Sequence, residues 1–230
     1  MRQASLLYGF DVTVIGPKGS ARRRVVVFGL MLLASIAAYI CVPRDADLRG
    51  FDPVAMARTE TGMWRDYYEG RHAALALKLY DVAREQAGFS PLDSARIAFA
   101  AARAAAKFQP TRSRADADAA LPELRRYFSM LARAAPVKVD VESAARAELD
   151  WWQARREAVA PEEYGLLIGR VSTLLYGADG GFVRRAGVMR AQAMAYRDAR
   201  AGMMTEADWR AVNSTLLTAY DALKWGLMRR

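Results

Sequence analysis

Residues 22–45 read RRRVVVFGLMLLASIAAYICVPRD. Whether this run is an anchor, a cleaved leader or a core helix decides how everything after it is read. Val25 to Val42 are 18 residues without a charge, which as a helix span roughly 27 Å, close to the hydrocarbon thickness of a bilayer. Arg24 and Arg44 stand at the two ends, where long stems can lie along hydrocarbon while the guanidinium groups reach the headgroups, and Pro43 stops the helix. Arg22, Arg23, Arg24 and Arg44 are therefore the expected flanks of a membrane anchor. Before the run, Arg2, Lys18 and the three arginines face only Asp11. After it, Arg44 and Arg49 are offset by Asp45, Asp47 and Asp52. The positive-inside rule then places residues 1–24 in the cytoplasm, 25–42 across the cytoplasmic (inner) membrane and 43–230 outside it, in the periplasm of a bacterium-like cell. The rival readings are weaker. A signal peptide would have a shorter charged region and a cut near Ser35 or Ala37, yet the apolar run continues through Tyr39 and Ile40, and those two are bulky for a lipoprotein cut before Cys41.

The 230 residues carry a net charge of +9, which resembles a nucleic-acid signature. Five basic groups against one acidic sit in the first 24 residues, leaving 29 against 24 elsewhere. A body outside the membrane does not meet DNA. The expected partners are the lipid bilayer and other subunits of a membrane complex, not nucleic acid, with the surplus arginines facing lipid headgroups or an acidic partner. The single Cys41 forms no intrachain disulfide.

Beyond the anchor the chain predicts an all-α globular bundle of about seven to eight helices. FDPVAM (51–56) opens the first, with Asp52 as N-cap, Pro53 in the first turn and Phe51 placed to pack on Met56. Gly70 interrupts it near Glu69, and RHAALALKLYDVAREQA is a second helix ended by Gly88. Ser90, Pro91 and Asp93 start an alanine-rich third over about 91–108. SRAD (113–116) resembles a capping box, and a fresh start falls near Pro122. Asp140 caps a helix to about Glu157, Pro161 opens the most apolar one, and GADGG (177–181) is a loop. Helices over about 182–200 and from Thr205, with Asp208 three residues on, complete the chain. No solenoid repeat holds register.

The chemical inventory is sparse. Glu69 and His72 form one Glu-x-x-His unit, but Gly70 lies between them and there is no second histidine, so no metal and no cofactor is expected. Glu60, Glu69, Glu142, Glu148 and Glu157 could supply paired carboxylates, yet the sequence singles out no two of them. Glu148 and Glu157, among Arg146, Arg155 and Arg156, read as a solvated face with local ion pairs. There is no Gly-x-Ser-x-Gly elbow and no phosphate-cradling loop. Trp151 and Trp152 are about 100° apart on a helix and cannot both point at one core centre, which makes them candidates for a contact surface. Trp225, near Met228 and Arg229, is a second candidate. GFDVTVIG (9–16) alternates, with Phe10, Val12 and Val14 on one face, and no strand elsewhere in the sequence pairs with it, so a partner's sheet edge, a groove or the bilayer surface is expected to receive it. Together these features predict a non-catalytic accessory or scaffolding subunit. The alternatives are an anchored enzyme of undiagnosed chemistry, and a ligand-binding or sensor domain with a pocket lined by Trp64, Tyr68 or Trp151.

Overall fold

The structure, a computed structural model, describes residues 18–229; Phe10, Val12 and Val14 lie outside them. The described chain is all-α, with one apolar N-terminal helix followed by a helical globular body. The two form separate compact units dividing at Tyr39 and Ile40.

Helix α1 (Lys18–Cys41) includes a stretch, Arg22–Cys41, long and apolar enough to cross a membrane. Valines 25–27, Phe28, Leu30, Leu32, Leu33 and Ile36 are exposed, and they leave no polar stripe for water to solvate. A helix apolar all round needs an apolar surrounding. Within it the Ser35 hydroxyl donates to the Met31 carbonyl at 2.9 Å, so this polar group is satisfied inside the helix. The helix ends at Cys41, two residues before Pro43.

The body comprises α2 (Pro53–Tyr68), α3 (His72–Asp81), α4 (Pro91–Phe108), the single turn α5 (Arg114–Ala117), α6 (Leu121–Leu131), α7 (Val141–Arg156), α8 (Pro161–Tyr176), α9 (Gly181–Asp198) and α10 (Glu206–Met228). The start signals work as expected. Asp52, Ser90, Ser113, Asp140 and Thr205 each accept a hydrogen bond from the backbone N–H three residues on, and Asp208 returns the bond to the Thr205 N–H at 2.9 Å. Gly70, Gly88 and Gly177 take the left-handed conformation at their joints. One difference lies in the second body helix, which ends as regular α at Asp81 and widens into a π turn over Val82–Gln86. There the Gln86 amide oxygen accepts from the Asp52 N–H and the Ala87 carbonyl accepts from the Asp47 N–H, tying this joint to the start of the body.

Each long helix packs on its neighbours in the chain: α2 on α3, α3 on α4, α4 on α6, α6 on α7, α7 on α8, α8 on α9 and α9 on α10. The last, α10, packs back on α2. The packing order is thus a closed circuit, which is why no solenoid register was visible: a solenoid leaves its ends open. Charged clips span many joints. Asp66 takes Lys78 and Arg71, Glu123 takes Arg103 and Lys107, Arg125 takes Glu142, and Arg155 takes Asp198. Many of the body's arginines take part in such clips at its surface. Burial works against the Asp66 and Glu123 carboxylates, but the cations bonded to them hold both below the ordinary carboxylate range.

The tightest joint is α8 on α9. A Cβ on Gly187 would lie 2.3 Å from the Gly165 carbonyl oxygen and 2.5 Å from the Gly169 nitrogen, so Gly165, Gly169 and Gly187 let two backbones touch. The Tyr164 hydroxyl locks the crossing by donating to the Ala191 carbonyl at 2.7 Å. Gly187→Ala gains helix propensity but forces backbone against backbone; it is expected to destabilise the protein by about 2 kcal/mol or more. Gly181→Ala, with open space around it, should be neutral or slightly stabilising, and urea midpoints of the two variants check the contrast.

Candidate functional site

Six helices of the body send one polar side chain each toward a common interior. They are Glu60 from α2, Tyr127 from α6, Glu148 from α7, Tyr176 from α8, Arg190 from α9 and Tyr220 from α10, close enough for their charges to act on one another. At the centre Glu60, 3 % exposed, accepts from two nitrogens on one edge of the Arg190 guanidinium, Nη2 and Nε, the latter at 3.3 Å. The Tyr220 hydroxyl donates to the same carboxylate at 2.5 Å. Burial alone would lower the Arg190 pKa, but Glu60 beside it raises it well above the ordinary value, so the guanidinium stays charged. Burial and the Glu60 charge likewise push the Tyr220 hydroxyl far up, and burial brings Tyr176 up to about 12. Both phenols are hydrogen-bond donors at any physiological pH.

The second carboxylate is differently placed. Glu148 accepts from the Trp152 indole N–H at 3.0 Å. Burial raises its pKa, and the indoles of Trp151 and Trp152 and the more distant Arg190 only partly oppose that. No salt bridge reaches Glu148 among the described residues, whereas Arg190 is committed to Glu60. The expectation that Glu148 lies on a solvated face with ion pairs is therefore corrected: it is half-buried among aromatic rings. Glu157 keeps a surface ion pair, with Arg114 of α5 through Nε at 2.9 Å. Glu69 and Glu142 are surface ion-pair members too, with Arg65 and Arg125. Of five candidate carboxylates the fold thus sets two, Glu60 and Glu148, in one interior.

Trp151 and Trp152 do not split between core and surface. Both are half-buried, both pack against the core formed by α4, α6 and α7, and their rings meet edge to face at 6.1 Å. Trp152 also meets Phe108 at 5.3 Å, and Trp151 shares a smaller core with Trp64. Tyr68 faces another way, accepting from Arg155 at 2.6 Å. Trp225 is the exposed candidate, at 54 %. His72 begins α3 beyond the left-handed Gly70, so it and Glu69 stand on different helices. No group of three or more metal-ligating side chains occurs among the described residues.

Chemically the interior holds a locked anion, Glu60, with its cation and phenol, and a second carboxylate with indole donors and no cation. Glu60, Arg190 and Tyr220 were beyond the reach of sequence reasoning because their neighbourhood exists only after α2, α9 and α10 meet. Glu148 had a local signal, since indoles three and four residues later share its helical face. No protein-family model, no curated protein and no solved structure matches the chain.

Two predictions follow from this charge arrangement. Glu60→Gln leaves Arg190 charged and unpaired in the interior and is expected to cost about 3 kcal/mol of unfolding free energy, while Tyr220→Phe costs about 2 by removing one hydrogen bond to a charge; denaturant unfolding measures both. For Glu148 the sign is opposite. Its folded pKa is raised, so its contribution is fully present below the ordinary carboxylate pKa and is lost as pH rises through the folded value. Glu148→Gln should therefore match the parent chain in acid and exceed its stability at neutral pH, a divergence that urea midpoints at a series of pH values reveal.

Proposed function

We propose that this chain is a non-catalytic accessory subunit of a larger membrane assembly. It is held by α1 in the inner membrane with its N-terminus in the cytoplasm, and its helical body meets a neighbouring subunit on the periplasmic side. The observation that carries the reading is one exposed aromatic face on the body. Trp225, Met228 and Phe182 stand 54 %, 61 % and 39 % exposed, and the Arg229 guanidinium lies over both rings, 5.4 Å from Phe182 and 5.9 Å from Trp225. A hollow lined by Gly177, Gly180, Phe182, Gly226 and Arg229 lies beside them. Aromatic, Met and Arg side chains around a small depression are what protein contact surfaces are enriched in.

The position of this face supports the same reading. One residue before Trp225, Lys224 donates to the carbonyls of Arg49, at 2.5 Å, and Phe51, at 2.9 Å. The aromatic face therefore borders the start of the body, at Arg49 and Phe51. The N-terminal arm, with Phe10, Val12 and Val14, is the second contact in this proposal.

The test is extraction in mild detergent of the full chain tagged at its C-terminus, then native separation and mass spectrometry. The expected result is a discrete larger species with stoichiometric companions. Trp225→Ala should weaken that association by about 2 kcal/mol, roughly 30-fold, without changing helical content. Migration of the parent chain alone would overturn the proposal.

A further inference from the structure

Charge balance in the interior is incomplete. Glu60 and Arg190 pair with each other, the tyrosines are neutral, and Glu148 has no salt bridge among the described residues, Arg190 acting on it only from farther off. Its neighbours are a donor N–H and aromatic faces. The indoles of Trp151 and Trp152 stand at 87° to one another with centroids 6.1 Å apart, so they form a corner, and Glu148 occupies the preceding turn of the same helix face. Tyr127, Glu148, Tyr176 and Arg190 all lie deep in the body, yet each keeps part of its surface uncovered. That accessible surface leaves space beside them for a small solute.

We propose that this space, beside Glu148 and the Trp151–Trp152 corner, is a binding site for a small organic cation bearing a single ammonium group. A carboxylate supplies the counter-charge and an acceptor for an ammonium N–H. Two perpendicular indoles supply π faces, which attract cations most strongly in a desolvated setting. One positive charge brings the interior to neutrality, whereas an anion would meet Glu148 uncompensated and find Arg190 already bound by Glu60. A hydrated metal ion is a poorer fit, because Glu60 is already held by Arg190 and Tyr220 and soft rings do not replace a hard ion's water. The site is independent of the partner-binding role proposed above, and its test needs no partner.

The experiment uses the full chain in detergent, titrated with butylammonium chloride and, as a neutral probe of the same length, 1-pentanol. Binding is followed by tryptophan fluorescence and by calorimetry. Saturable binding of butylammonium at one site per chain is expected, with 1-pentanol at least about tenfold weaker. Glu148→Gln, a variant expected to fold at least as stably at neutral pH, should weaken butylammonium binding by about tenfold or more. Trp151→Leu should also weaken it and serves as the deciding variant if Glu148→Gln does not fold. Absence of saturable binding, equal binding of the alcohol, or binding indifferent to the variant tested would each overturn the proposal.

Discussion

The closure of the helical circuit depends on Glu60. Its carboxylate lies on the first helix of the body and is held by Arg190 of α9 and Tyr220 of α10, so one side chain ties the beginning of the body to its last two helices. Sequential packing of helices on their chain neighbours costs little loop entropy but leaves two raw ends. Burying a carboxylate to join those ends is expensive unless it is fully satisfied. Here it is, by a guanidinium and a phenol. Phe51 reinforces the seam, meeting Tyr220 edge to face at 5.9 Å and lying near Tyr176 at 6.5 Å, so the first buried ring of the body is packed against its last helix.

Many of the body's arginines have an architectural role. Alanine dominates α4 and fills much of the core, and alanine buries too little surface to hold helices together by itself. The arginine and lysine clips at Asp66, Glu123, Glu142 and Asp198 compensate by fixing which helix follows which. Exposed pairs of this kind contribute little each. The clips whose carboxylate is covered, at Asp66 and Glu123, contribute specificity as well, because a mispaired helix would strand a charge.

What the sequence made legible was local. Asp52, Ser90, Asp140 and Thr205 announce helix starts because a cap is satisfied within three residues, and Gly88 and Gly177 announce ends because their backbone conformation excludes a side chain. The apolar run of α1 needed only its length. The interior was hidden for a physical reason: Glu60, Glu148 and Arg190 are far apart in the chain, and their pairing is decided by which helices end up adjacent. Gly165, Gly169 and Gly187 were hidden similarly, since a glycine within a helix reads as a weakness until the facing backbone is known. Trp151 and Trp152 are both half-buried because α7 lies between two cores, which a helical wheel drawn for one core does not show.

The interior and the exposed aromatic face are carried by the same two helices. On α9, Phe182 is outside and Arg190 inside, about 12 Å apart along the axis; on α10, Tyr220 is inside and Trp225 outside, about 7.5 Å apart. An exposed ring makes a strong contact only if it is ordered before its partner arrives, because freezing side chains and helix ends on binding subtracts from affinity. The last turns of a C-terminal helix ordinarily fray. Here Tyr220 pins α10 to Glu60, and Lys224 pins it to the carbonyls of Arg49 and Phe51, leaving Trp225 one residue beyond the second clamp. The buried charge that closes the body thus also helps to hold its outer face in shape.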